Sequence, residues 1–150
     1  MTRYDQDAHA VFVEQVSGEL RDRPLRATID SKIRHLFKCF DDENWDGMRA
    51  HLSPSVILID QLDGPEDIYT HTEDIMSWFE EFWHPNQHTA HQLLLVDRGR
   101  VTCYVTHFWM NDECFVFIAE QEVYIIDLDD RHQVRRFERR RQERHNLDFH

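Results

Sequence analysis

The feature that most constrains the fold is the separation of helical and strand patterns along the chain. Apolar residues recur at helical spacing through the first half of the sequence, whereas the second half carries four successive stretches of strand character with no helix between them. Helices kept apart from a run of antiparallel strands are typical of α+β domains. The predicted strands are 88–96, 100–110, 114–128 and 132 to about 143.

The first half of the chain is predicted to be mainly helical. Pro24 ends the first helical pattern, and a second begins close behind it. The apolar, β-branched run SVILID predicts one additional strand, which ends at Asp60 and is followed by a loop. The predicted helices are 5–20, 25–40, 45–52 and 70–83, the strand is 55–60, and the loop is 61–67.

Length and composition fit one domain. A chain of 150 residues with 41% hydrophobic content can bury a core, so we predict a single domain over 1–150 in which 1–24 form a helical extension. The chain has no membrane-length apolar run and no secretory signal, which predicts a soluble cytoplasmic protein. Cys39, Cys103 and Cys114 show no Cys-x-x-Cys spacing and are predicted to be free thiols.

Charge limits the class of partner. A formal net charge of −12 argues against a protein that holds phosphate backbones and favours a neutral or cationic small organic ligand. The segment VRRFERRRQER contains six arginines, which we expect to pair with the surplus carboxylates on neighbouring strands or across a dimer interface. Neither a nucleic acid nor a membrane is expected as a partner.

Two segments carry a resemblance to a known fold. The order of elements, with IDSKIRHLFKCFDDENWDGMRAHLSPSVILID and HTAHQLLLVDRGRVTCYVTHFW, resembles the SnoaL-like and ketosteroid-isomerase-like families of the nuclear transport factor 2-like (NTF2-like) superfamily, and is also similar to scytalone dehydratase. The resemblance covers 28–143. It implies a cone-shaped, curved antiparallel sheet that the N-terminal helices close around a small-molecule pocket. This superfamily contains isomerases, dehydratases, cyclases, epoxide hydrolases and non-catalytic binders.

The resemblance also implies roles for particular residues. Asp60 falls on the carboxylate that shuttles the proton in ketosteroid isomerases, and Tyr124 falls where those enzymes have an acid that donates to the substrate oxygen. The second donor of that family, a tyrosine, corresponds to Leu36. His91 resembles a histidine that SnoaL-like proteins and scytalone dehydratase direct into the cone. Together these matches imply acid–base chemistry with Asp60 as the base.

Side-chain alternation on the strands adds further candidates. His107 is a candidate for a second pocket histidine, and Glu120 and Glu122 share a parity with Tyr124, so that one of them is a candidate acid. The alternatives are a core or rim histidine, and a bulge or solvent-exposed stretch for the glutamates. The aromatic residues are core in one interpretation and ligand contacts in the other. The predicted substrate-contacting residues are Leu36, Trp78, Phe82, Tyr104 and Trp109.

The leading interpretation is a cofactor-independent isomerase, dehydratase or cyclase that acts on a small polycyclic or polyketide-like metabolite. The alternative is a non-catalytic ligand-binding or dimerisation module, which the leucine at position 36 favours. No metal is expected, because the eleven histidines show no ligand spacing on one strand or helix face. The strands from Arg100 onward are apolar on both faces, which predicts that a homodimer covers the outer one.

Overall fold

The computed structural model describes residues 23–61, 65–97, 99–113 and 115–147. The chain divides into two compact units, Met1–Ser31 and Lys32–His150. In the first unit the described residues belong to the start of a helix, where the Thr28 hydroxyl donates to the carbonyl of Pro24 at 3.0 Å. The helix predicted over 5–20 and the predicted free thiol of Cys114 lie outside the described residues.

Three helices are described, and each corresponds to a predicted one. They are α1 (Arg23–Asp41), α2 (Trp45–Ala50) and α3 (Thr72–Phe82). Helix α1 ends where Glu43 adopts a positive φ of 57°, and the Asn44 side chain then caps α2 by accepting from the Gly47 N–H at 3.0 Å. No helix among the described residues is long and apolar enough to cross a membrane.

The strands form a six-stranded sheet in the order β2-β1-β6-β5-β4-β3. The last four pair antiparallel in chain order, as the sequence predicts. One pairing departs from the expected antiparallel sheet, because β1 runs parallel to β6. The long connection through α3 and the other strands permits that orientation. The strands are β1 (Leu52–Asp60), β2 (Asp67–Tyr69), β3 (His88–Asp97), β4 (Arg100–Asn111), β5 (Val116–Leu128) and β6 (Val134–Leu147).

The region around β1 differs most from the prediction. Strand β1 begins at Leu52, ahead of Pro54, and a register shift with β6 falls between Leu52 and Ile57. Such an irregularity accommodates a proline that cannot donate to the sheet. Strand β2 begins at Asp67, the last residue of the predicted loop, and pairs with the end of β1.

The two faces of the sheet have different surroundings. On the inner face, defined by Cys103, Tyr124 and Phe137, the Phe37 ring of α1 lies 5.8 Å from Tyr124, and the Phe79 ring of α3 lies 5.4 Å from Phe137. Side chains of alternate parity point to the outer face. Register shifts within the β3–β4 and β5–β6 pairings mark bulges, which bend the strands.

Candidate active site

A pocket lies on the inner face between α1, α3 and strands β3 to β6. Its cavity volume is about 20 Å³, room for about one water molecule. Half of its wall is aromatic and the rest carries hydrogen-bonding or ionisable groups. The lining residues are Phe37, Phe40, Trp78, Phe79, Phe82, His84, Thr89, His107, Glu120, Glu122, Tyr124 and Arg139.

Arg139 of β6 is the centre of an ion-pair network at this pocket. Its Nε and Nη2 donate to the two carboxylate oxygens of Asp60 at 3.2 and 2.9 Å, and its Nη1 donates to Glu122 Oε1 at 3.3 Å. The Trp78 and Phe82 rings lie 4.6 and 4.2 Å from Cζ, within cation–π range. Burial lowers the pKa of Arg139, but Glu122 and Asp60 outweigh it and raise the pKa above its usual value.

Asp60 reaches the pocket through Arg139. Besides the guanidinium, the Trp78 indole N–H donates to Asp60 Oδ2 at 3.1 Å. Both carboxylate oxygens therefore accept hydrogen bonds already, and Asp60 is not among the lining residues. The assignment of Asp60 as the base stays a prediction.

Tyr124 and Glu122 form a buried pair on β5. The Tyr124 hydroxyl donates to Glu122 Oε2 at 2.6 Å. Burial and the Glu122 carboxylate raise the pKa of Tyr124 well above its ordinary value, so the phenol keeps its proton. Tyr124 would donate to a substrate oxygen only by exchanging Glu122 for the substrate.

A hydrogen-bond relay orients the imidazole of His107. Gln87 Nε2 donates to Asp41 Oδ1 at 2.7 Å, and Gln87 Oε1 accepts from the His84 backbone N–H at 2.8 Å. With the amide fixed in this way, Oε1 is also the acceptor for His107 Nε2 at 2.9 Å. His107 therefore carries its proton on Nε2, which leaves Nδ1 with the free lone pair. Asp41 is itself held by Thr89, whose backbone N–H and hydroxyl donate at 2.8 and 2.6 Å.

The two pocket histidines are uncharged at neutral pH. Burial, with smaller contributions from His84 and Arg139, lowers the pKa of His107 to about 4. Burial also lowers the pKa of His84, whose ring stacks on Trp109 at 4.5 Å. Glu120 is buried and lies directly opposite His107 in the β4–β5 register, so the two titratable groups share one wall. A neutral imidazole beside a carboxyl group is suited to moving a proton.

Four of the six predicted catalytic residues line this pocket, namely His107, Glu120, Glu122 and Tyr124. The fifth, Asp60, contacts it through Arg139, and the sixth, His91, packs its ring 5.9 Å from Phe37 without lining the cavity.

The predicted substrate contacts divide in a similar way. Trp78 and Phe82 line the cavity, and Trp109 contacts it through His84. Leu36 is buried outside the lining set, and Tyr104 is 38% exposed on the outer face.

Sequence reasoning did not single out Arg139, His84, Gln87 or Asp41. Arg139 had a usable signal, because it shares a strand parity with the apolar Phe137 within an otherwise charged segment. The expectation that these arginines pair with carboxylates on neighbouring strands is confirmed for Arg139 by its contacts with Asp60 and Glu122, whereas Arg136 and Arg140 contact Glu138 of their own strand. Nothing local to Asp41 or Gln87 indicates their contact, since they lie 46 positions apart.

Comparison with solved structures identifies the fold as NTF2-like. One match is SalBIII, an epoxide hydrolase/cyclase-like enzyme with a role in pyran ring formation in the polyether salinomycin. It has a TM-score of 0.66 and 10% identity, over 78% of this chain and 92% of that one. A candidate ketosteroid isomerase from Kribbella flavida matches at 0.60 with 16% identity, over 81% and 83%. An NTF2-like protein from Cytophaga hutchinsonii matches at 0.54 with 10% identity, over 76% and 89%. No family model and no curated protein matches the sequence.

Proposed function

We propose that this chain, which has the NTF2-like fold, is a cofactor-independent isomerase, dehydratase or cyclase that acts by acid–base chemistry on a small cyclic, oxygenated metabolite. The observation that carries the proposal is the convergence of His107, Glu120, Glu122 and Tyr124 on one aromatic-walled pocket. Active sites of proton-transfer enzymes commonly contain several titratable groups in a desolvated cleft. The structurally similar proteins include a cyclase-like enzyme and a candidate ketosteroid isomerase, which supports the same class of reaction.

Two groups compete for the role of base. Asp60 falls at the position of the proton-shuttling carboxylate of ketosteroid isomerases, but its oxygens accept hydrogen bonds from Arg139 and Trp78. His107 lines the pocket, is neutral at pH 7 because burial lowers its pKa to about 4, and keeps Nδ1 as an acceptor. We assign proton abstraction to His107, with Glu120 as its partner. Arg139 would then stabilise negative charge that develops on the substrate oxygen.

Substrate entry requires the pocket wall to move. A volume of about 20 Å³ admits a water molecule and excludes a polycyclic compound. Phe82 and His84 are only half-buried, at the end of α3 and in the segment that follows it. We propose that these two side chains swing outward when a substrate binds, which opens the space above Arg139.

The second candidate function is a non-catalytic module of the same fold. The nearly filled pocket favours it, because an interaction domain has no need to keep an internal cavity open. In that case the Arg139 network would serve only to hold β1, β5 and β6 together.

A ketone with exchangeable α-protons separates the two candidates. We would incubate the protein with 2-tetralone in D₂O and follow deuterium incorporation beside the carbonyl by NMR. The enzyme proposal expects exchange above the buffer rate, lowered by roughly 10²–10⁴-fold in His107→Gln. If Asp60→Asn loses exchange and His107→Gln retains it, Asp60 is the base. The exposed His88→Gln serves as the matched histidine control. Buffer-rate exchange with no chemical-shift change in the ketone would favour the non-catalytic module.

A further inference from the structure

A second cluster of reactive side chains lies away from the pocket, where α1 meets α2. His35 and Cys39 are four residues apart on α1 and therefore share one face of the helix. His51 is the C-cap residue of α2 and brings its ring to the same face, with its centroid 4.8 Å from that of His35. One nitrogen of each imidazole and the Cys39 sulfur all lie within 4.8 Å of one another.

Local contacts bring these atoms together. His35 Nδ1 and His51 Nε2 are 2.6 Å apart, in hydrogen-bond contact. The Asn44 amide lies 3.8 Å from the Cys39 sulfur, and a Cβ at position 47 would lie only 2.8 Å from it. Gly47 is therefore needed for α2 to approach the thiol so closely. Cys39 is buried, whereas His35 is exposed, so an ion would reach the cluster from the side of His35.

We propose that His35, Cys39 and His51 form a zinc site, with a water molecule as the fourth ligand. Two neutral imidazoles and one thiolate are ligands that Zn²⁺ prefers, at about 2.0–2.1 Å for nitrogen and about 2.3 Å for sulfur. Tetrahedral coordination separates two nitrogen ligands by about 3.3 Å, so the His35–His51 contact opens by less than 1 Å from its 2.6 Å. Rotation of the exposed His35 side chain supplies that movement. The Cys39 thiol loses its proton to solvent when the metal binds.

This proposal departs from the expectation that the protein holds no metal. That expectation considered histidines that share one strand or helix face. The cluster instead combines a histidine and a cysteine on α1 with a histidine from the end of α2. A metal here would fasten α2 to the helix that carries the pocket residues Phe37 and Phe40. Its proposed effect is to stabilise the packing of α2 on α1, and it is independent of the proposed catalytic function.

The experiment is metal titration of the full chain after metal removal. We expect one Zn²⁺ per chain in competition with a chromophoric chelator, and a higher unfolding temperature in the zinc-bound form. Co²⁺ in place of Zn²⁺ should give a thiolate-to-cobalt charge-transfer absorption that Cys39→Ser removes. His35→Gln and His51→Gln should each weaken Zn²⁺ binding by more than about 10–100-fold. Loss of a residue that only hydrogen-bonds to a metal ligand already has an effect of that size, and these variants remove a ligand itself.

His71→Gln is the matched control, since His71 is an exposed histidine outside the cluster, and it should bind Zn²⁺ as the parent does. The proposal is overturned if Co²⁺ gives no charge-transfer absorption, or if His35→Gln binds Zn²⁺ as tightly as His71→Gln. Cys39 is buried, so loss of fold in Cys39→Ser has to be separated from loss of metal. Circular dichroism checks that, and the exposed His35→Gln decides the question if Cys39→Ser does not fold.

Discussion

Strand β6 directs neighbouring arginines to opposite faces of the sheet, where they differ in their carboxylate partners and in their exposure to solvent. On the inner face, the Arg139 side chain is 3% exposed and is shared by Asp60 and Glu122. On the outer face, Arg136 and Arg140 both reach Glu138, with side chains 41% and 53% exposed. Solvent reaches the two outer arginines, although the Glu138 side chain that they share is only 6% exposed, whereas on the inner face Arg139 has lost its hydration as well. The same residue types therefore form a network with exposed cations on the outer face and a network with a buried cation on the inner face.

Removal of the inner arginine should have the largest effect. Arg139→Met leaves the buried Glu122 and the 11%-exposed Asp60 without their cation, which should lower the free energy of unfolding by about 3–5 kcal/mol. Urea unfolding at pH 7 measures it. Arg140→Gln, one residue along and on the outer face, is the matched control and should cost less, because the Arg140 side chain is 53% exposed and Arg136 still contacts Glu138. Equal losses in the two variants would mean that burial does not distinguish the two faces.

Tyr124→Phe tests whether the inner network serves chemistry or only stability. If the hydroxyl donates to a developing oxyanion, the barrier to 2-tetralone exchange should rise by about 2–4 kcal/mol. If it serves only Glu122, the exchange rate should stay unchanged while the free energy of unfolding falls by about 1–3 kcal/mol, because a buried acceptor loses its donor. Measuring both quantities on one variant separates the two roles.

The buried histidines of the inner face should also make the free energy of unfolding depend on pH. Burial lowers the pKa of His107 from 6.5 to about 4, so the unfolded chain takes up this proton more readily than the folded one. This difference contributes about 3 kcal/mol to the free energy of unfolding above pH 6.5, and the contribution is lost as the pH falls towards 4. His84 acts in the same direction.

Urea unfolding of the parent and of His107→Gln between pH 7 and pH 4 checks this expectation. The variant should show a shallower loss of stability as the pH falls. His88→Gln, on the exposed outer face, should follow the parent. Parallel curves for the parent and His107→Gln would contradict it.

The smallest expected effect concerns the apolar part of the outer face, where we propose that a second copy of the chain docks. Phe108, Met110 and Phe117 are 36%, 37% and 55% exposed on neighbouring strands. Sedimentation should show a dimer at micromolar concentration, and Phe108→Ser should weaken it by about 1–2 kcal/mol, roughly 5- to 30-fold in Kd. A monomer at that concentration would contradict the dimer.

The sequence by itself determined the elements and much of the membership of the pocket. Periods of 3.6 and 2 residues are local, so α1, α3 and the four strands from His88 onward were predictable. Parity along β5 grouped Glu120 and Glu122 with Tyr124, and all three line the cavity. Alternation within one strand needs no knowledge of its partners.

Only the tertiary structure decided which of these side chains meet. Arg139 and Asp60 are 79 positions apart, and their contact depends on the parallel pairing of β1 with β6, which no local pattern encodes. The cluster of His35, Cys39 and His51 likewise depends on how α2 turns back on α1. Strand register and helix packing are fixed by the burial of many residues at once, so a residue's own neighbourhood in the sequence does not specify its partner in space.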